Sequence, residues 1–243
     1  MVSEKPNLSV DAQARYEFVA ELLERDFPPP ARVIELGSAP GDQIAQLSRR
    51  GYGATSLDLG ESSDEWGSGE AGRMTNLFVE CGVEDIRWNL EQTPYPLPTN
   101  SFDAVIMTEV YEHLRDYPIR SLEEVHRILR PGGRIYFTTP NAAYIVNRFR
   151  GLAGRSTATG LADWIGGLPH ARHAREYTFP EVDILMAHAG LHVVERASRH
   201  FHVGTGRAGS ARLVKVLISE LAKHRPTLGP QIIVVAEKRH VAA

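Results

Sequence analysis

Residues 31–58 constrain the chain more than any other stretch: Ala-Arg-Val-Ile-Glu-Leu-Gly-Ser-Ala-Pro-Gly-Asp-Gln-Ile-Ala-Gln-Leu-Ser-Arg-Arg-Gly-Tyr-Gly-Ala-Thr-Ser-Leu-Asp. Val33, Ile34 and Leu36 form a short apolar run, the pattern of a parallel strand buried on both faces. Gly37 and Gly41 bracket a tight turn, and Ile44, Ala45 and Leu47 give one face of a helix that ends near Gly51. A second strand, Ala54–Leu57, ends in Asp58. Strand, turn, helix and strand in this order make a βαβ unit. An acidic side chain about 20 positions after a glycine turn suits a ribose, because a carboxylate accepts protons from both ring hydroxyls.

The kind of nucleotide follows from charge. A dinucleotide fingerprint, G-x-G-x-x-G, seats a pyrophosphate on the helix N-terminus. Here the middle glycine is Ala39, and Glu35 lies on the strand just before the turn. A carboxylate there repels a pyrophosphate and attracts a cation. The ligand expected is one with an adenine, a ribose and a positive charge, such as S-adenosylmethionine. Glu35-Leu36-Gly37-x-x-x-Gly41 resembles the first motif of the class I methyltransferases. The family pattern has glycine at position 39, so Ala39-Pro40 departs from it and stiffens the turn.

The rest of the chain fits one domain over 1–243, with 1–30 as an N-terminal helical cap and 142–177 and 199–229 as insertions covering the substrate side. At 243 residues with 42% hydrophobic content it can bury a sizeable core. A net charge of −3 gives no bulk attraction to nucleic acid. A single cysteine, Cys81, excludes an internal disulfide and suits a reducing, cytoplasmic setting. No run reaches the ~18 apolar residues of a membrane span, and the first residues carry no leader pattern.

In chain order, a helix is expected over 8–25, capped by Asn7 or Ser9 and stopped by Pro28-Pro29-Pro30. An acidic, Gly-rich loop after Asp58 carries Trp66. Further expectations are a helix at 72–81, a strand at 83–89, a buried strand at 102–107 and a helix at 118–130 ended by Pro131-Gly132-Gly133. Strand 134–139, helix 178–189, strand 191–195, helix 210–224 and strand 231–236 complete the chain. Helix 210–224 has apolar residues on more than one face, and two roles stay open for it: packing on the sheet, or covering the substrate pocket or a homodimer contact.

Later motifs carry the resemblance further. Ser101-Phe102-Asp103, Glu112-His113-Leu114, Glu124-Val125-His126-Arg127-Ile128-Leu129-Arg130-Pro131-Gly132-Gly133 and Thr139-Pro140-Asn141 are similar, in order and spacing, to landmarks of the ubiquinone-type and glycan O-methyltransferase branch of that class. A His-x-Arg-Glu-Tyr turn at His173–Tyr177 belongs to the same series. The resemblance covers about residues 30–198. It implies an α/β, Rossmann-like seven-stranded sheet in the order 3-2-1-4-5-7-6 with the last strand antiparallel. It also implies Ser38 and Thr108 as further cofactor contacts. Asn89, with Leu90 beside it, is implied to meet the adenine, and Asp85 is its runner-up.

Methyl transfer from a sulfonium is an in-line displacement in a dry site, and a hydroxyl acceptor also needs a base. Imidazole titrates near neutral pH. His113, after the fourth strand, is the first candidate; His173 and His170 are the others, with Glu176 and Tyr177 expected to orient one of them or to bind substrate. Among ten histidines no pair has zinc-protease spacing, and one cysteine excludes a cysteine-rich metal site. Glu109, Glu112 and Asp116 could serve a magnesium ion, but no spacing demands it, so no metal is expected.

The leading expectation is therefore a methyltransferase acting on a hydroxyl of a sugar, a glycan precursor or another small metabolite. Gly37-Ser38-Ala39-Pro40-Gly41-Asp42 also resembles ribose 2′-O-methyltransferases of RNA. Those use a lysine-based tetrad, and no lysine lies between Lys5 and Lys215. A non-catalytic, cofactor-binding partner protein is the third possibility.

Overall fold

The computed structural model describes residues 10–60, 71–157, 161, 165, 172–201 and 210–240. Asn7, Ser9, Trp66 and His170 lie outside them. Seven strands form one sheet: β1 (Arg32–Leu36), β2 (Gly53–Asp58), β3 (Glu84–Arg87), β4 (Phe102–Thr108), β5 (Leu129–Pro140), β6 (Leu191–Ala197) and β7 (Gln231–Lys238). Their order is β3-β2-β1-β4-β5-β7-β6. Neighbours from β3 to β5 are parallel, and β7 runs antiparallel to both β5 and β6. This is the expected topology.

The helices are α1 (Val10–Asp26), α2 (Asp42–Arg49), α3 (Ala71–Cys81), α4 (Ile119–Ile128), α5 (Ile145–Leu152), α6 (Phe179–His188) and α7 (Ser210–His224). Strand side chains alternate between faces, so β1 feeds two cores. Ile34 and Leu36 join Leu122, Val125, Val182 and Met186 of α4 and α6. Val33 joins Phe18 and Leu22 of α1, Ile44 and Leu47 of α2, and Phe78 of α3. β4 is buried from end to end, as a central strand covered on both faces must be.

Two expected boundaries move. β5 begins at Leu129, because Leu129 pairs with Phe102 and a register shift between Phe102 and Ala104 absorbs Pro131-Gly132-Gly133 as an irregularity inside the strand. β3 stops at Arg87, which frees Trp88 to Leu90 to turn over the carboxyl edge of the sheet.

The later motifs turn out to be clamps. Glu124 pairs with Arg127 and accepts the Tyr95 amide at 2.6 Å, while Arg127 donates to the carbonyls of Tyr95 and Leu97. Asp103 accepts the Arg32 amide at 2.6 Å and pairs with Arg130. Asn141 donates to the carbonyls of Thr227 and Gly229 and accepts from the Ala143 amide, tying the end of β5 to the entry of β7. These residues hold loops to the sheet; none of them lines the cleft described below.

Gly37 and Gly41 both have left-handed backbones, with φ +72° and +94°. A Cβ on Gly37 would lie 2.6 Å from Val110, and one on Gly41 would lie 2.7 Å from Phe78. Left-handed strain and overpacking add, so Gly41→Ala should destabilise the fold by about 2–4 kcal/mol, read as a lowered urea midpoint at unchanged m-value.

Candidate active site

At the carboxyl ends of β1, β2 and β4 lies a cleft of about 390 Å³, where open α/β sheets bind their ligands. Gly37, Ala39, Asp58, Leu59, Asn89 and Leu90 form one side, and Glu109, Val110, His113 and Leu114 the other. Of the eight cofactor residues expected from the sequence, Gly37, Asp58, Asn89 and Leu90 line this cleft.

The other four do not. The Ser38 hydroxyl is buried against that of Ser56, 2.5 Å away, so its side chain faces the sheet. Thr108 donates to the Gln43 Oε1 atom at 3.0 Å, behind the cleft wall. Gly41 is spent on packing against Phe78 and Met74. Glu35 is 3% exposed beneath the turn. Asp85 pairs with Arg87 at 2.6 Å, which leaves Asn89 as the residue of the two at the cleft.

Asp58 is built into the turn it follows. One carboxylate oxygen accepts the Ala39 amide at 3.1 Å and the other the Gly60 amide at 2.9 Å. Each oxygen keeps lone-pair capacity for a ribose hydroxyl. Asn89 uses its Oδ1 atom to accept the Glu91 amide at 2.9 Å, which fixes the side chain at the rim. Leu59 lines the cleft with an apolar side chain 64% exposed, a surface suited to the face of an adenine. An apolar residue directly after the acidic end of β2 was the available signal for it. Glu91 also lines the cleft and accepts the amides of Arg115 and Asp116, coupling its two sides.

Two buried carboxyls dominate the electrostatics. Burial, and then the Asp58 charge, push Glu35 well above the usual carboxylate range. Its Oε2 atom has no hydrogen-bond partner among the described residues. Burial, and then Glu109, do the same to Glu112, whose Oε2 atom accepts from Thr139 at 3.0 Å. The positive charge of Arg15, on α1, acts on both and lowers both. Arg15 escapes a sequence reading because one arginine in an amphipathic helix looks like a solvated position.

His113 lines the cleft and His173 stands behind it, their rings 5.0 Å apart and nearly perpendicular. The His113 Nδ1 atom is 3.2 Å from the Arg172 carbonyl, which can only accept. In the neutral ring Nδ1 therefore carries the proton and Nε2 is the basic nitrogen. His173 has the same arrangement, with its Nδ1 atom 3.0 Å from Glu176. The Glu112 carbonyl accepts the amides of Ala174 and Arg175, which docks the turn bearing His173. One donor atom each from Glu112, His113 and His173 lie within 4.8 Å of one another, a juxtaposition their sequence spacing does not announce.

The comparisons with known proteins agree with this geometry. The profile of a methyltransferase domain family matches residues 10–196. The chain belongs to that family. It is an S-adenosylmethionine-dependent methyltransferase of class I, and S-adenosylmethionine is its cofactor. A ubiquinone biosynthesis O-methyltransferase of Xylella fastidiosa is 27% identical over 181 residues, covering 73% of this chain and 68% of that protein. One of Xanthomonas axonopodis pv. citri is 30% identical over 129 residues, covering 52% and 49%. Among solved structures, an S-adenosylmethionine-dependent methyltransferase from Mesorhizobium loti superposes with a TM-score of 0.62 at 18% identity, over 94% of this chain and all of that one. A Burkholderia thailandensis 1,6-didemethyltoxoflavin-N1-methyltransferase, solved with S-adenosylhomocysteine, gives 0.56 at 16% identity, over 98% and 93%. No helix among the described residues is long and apolar enough to cross a membrane.

Two outcomes follow. Asp58→Ala removes an acceptor that holds the turn and lines the cleft where a ribose is expected. In calorimetric titration it should weaken S-adenosylhomocysteine binding by about 1–3 kcal/mol. Glu35 has a folded-state pKa above its unfolded value of 4.5, so the unfolded chain loses its proton first as pH rises. The stability Glu35 contributes at low pH is therefore lost as pH climbs from that value through the raised one. Without S-adenosylmethionine, Glu35→Gln should raise the melting temperature more at pH 8 than at pH 5.

Proposed function

We propose that the enzyme transfers the methyl group to a hydroxyl oxygen of a small-molecule acceptor, with His113 as the general base. One observation carries this reading: His113 lines the cofactor cleft, and its Nδ1 atom meets a backbone carbonyl, which makes Nε2 the basic nitrogen of the neutral ring. The Nε2 atom accepts the hydroxyl proton as oxygen attacks the methyl carbon in line with the leaving sulfur. His173, held by Glu176, stands next to it as the second histidine of the pair. Attack neutralises the sulfonium, and Leu59, Val110 and Leu114 supply the apolar surroundings that favour loss of charge.

The names of the curated relatives support an oxygen acceptor. A sugar or glycan precursor stays within this reading, as does any small metabolite with an acidic hydroxyl. RNA falls outside it, because no lysine lies between Lys5 and Lys215 to build the lysine-based tetrad. A cytoplasmic setting, where Cys81 stays reduced, accords with it.

A second reading of the same site comes from the donor set. One carboxylate and two imidazoles are ligands that zinc or iron(II) accepts. Glu112, His113 and His173 would hold such a cation, whose charge would acidify the acceptor hydroxyl and draw the Glu112 carboxyl back to its ionised form.

The test uses methyl-labelled cofactor with a panel of phenols, catechols and sugars. Oxygen methylation of one of them is expected, with His113→Ala lowering kcat about 10²–10⁴-fold while S-adenosylhomocysteine still binds. Methylation only at nitrogen or carbon, or full activity in His113→Ala, sinks the reading. Activity abolished by a chelator and restored by a divalent cation would select the metal form of the site over the free base.

A further inference from the structure

A second and larger cavity, about 750 Å³, lies between α1, the end of β6 and α7 and shares no lining residue with the cofactor cleft. Phe18, Leu22, Ala197, Ala222 and Pro226 give it an apolar interior. Its volume lies in the range of small-molecule sites. The lining is basic in a chain whose net charge is −3: Arg25, Arg196, Arg199 and Lys223 stand against Glu21 and Glu195.

Three of these cations are already paired. Arg25 bonds to Glu195 at 2.8 Å, Arg196 to Asp183 at 3.0 Å and Lys223 to Glu220 at 2.6 Å. Arg199 is different. Its guanidinium lies over the Phe18 ring, 3.9 Å from the centroid, and it has no carboxylate partner among the described residues. A guanidinium stacked on a ring has its orientation set and its donor edge directed sideways. That edge matches a carboxylate or phosphate through two parallel hydrogen bonds.

The cavity also stands in a useful place. β6 lies two strands beyond β5, about 10 Å along the sheet at ordinary strand spacing. The end of β5 carries Thr139, which bonds to Glu112 of the catalytic cluster. The segment that follows β5 reaches the cavity wall, where the Tyr144 hydroxyl meets the His200 Nε2 atom at 2.9 Å.

From Arg199 stacked on Phe18 in this apolar, basic cavity, we infer that it binds an apolar or aromatic body bearing one carboxylate or phosphate group, and that this is the distal part of the methyl acceptor. The second half of that statement rests on the methyltransferase reading above. The acceptor hydroxyl would then sit at His113 while its anionic end is held at Arg199, and a neutral acceptor of the same size would bind less well.

The test takes the full chain and titrates it with 2-naphthoate, 2-naphthyl phosphate and, as the neutral control, 2-naphthylmethanol, each with and without saturating S-adenosylhomocysteine. One-site binding of at least one anion is expected, at least about five-fold tighter than the control, the scale of one charge-assisted contact. The two anions report which acidic group is preferred. Arg199→Gln keeps a planar group over Phe18 and should bring the anion down to the level of the control. Glu21→Gln, at an exposed position on α1, should tighten it roughly two- to three-fold by removing a like charge. S-adenosylhomocysteine should neither displace the anion nor lose affinity in either variant. Absence of anion binding, indifference to Arg199→Gln, or displacement by S-adenosylhomocysteine overturns the cavity assignment. Anion binding in a protein that binds no S-adenosylhomocysteine would keep the cavity and overturn its link to methyl transfer.

Discussion

The turn between β1 and α2 exists in this form because two of its residues have no Cβ. Gly37 lets Val110 close on it from the loop after β4, and Gly41 lets Phe78 and Met74 of α3 close from the other side. Three elements distant in sequence thus meet over five residues, and the contact of Gly37 with Val110 forms part of the cleft wall. Asp58 completes the arrangement, since its carboxylate holds the Ala39 amide and so fixes the turn to the end of β2. The side chain expected to bind ribose is also a structural part of the turn, so the site is shaped before any ligand arrives.

Charge is the second constraint. Glu35 and Glu112 are buried, and both have carboxyl groups raised by that burial. Two such groups beside a cleft for a cationic cofactor trade stability for carboxyls that a nearby positive charge would draw towards ionisation. Arg15 moderates the trade from the α1 side. α1 is fastened by the Arg50 links to Glu17 and Glu24, so Arg15 belongs to a helix anchored to α2.

The sheet order and the cofactor edge could be read from the chain because buried parallel strands and glycine turns leave local patterns. Val33, Ile34 and Leu36 are apolar in sequence for the same reason that they are buried in space. Side-chain direction left no such trace. Ser38 and Thr108 sit at the expected places along the backbone, yet Ser56 and Gln43 compete for their hydroxyls and turn them from the cleft. Glu124, Arg127 and Asn141 read as family landmarks and act as clamps, because a motif records what must be kept and not what it is kept for. Arg15 and the meeting of His173 with His113 and Glu112 depend on tertiary contacts that no local pattern encodes.

The main-chain bonds at Glu112 have a consequence for how such an enzyme diversifies. The turn bearing His173 is docked through the amides of Ala174 and Arg175 and through the buried Tyr177 ring against Tyr111. Whatever residues fill the segment before it, the turn returns to the same anchor. Insertions and substitutions there can reshape the acceptor side while the histidine pair stays in register. On the proposed reading, with the histidine pair doing the chemistry, that chemistry and the choice of substrate are separately heritable, and a lineage can change what it methylates without rebuilding how it methylates.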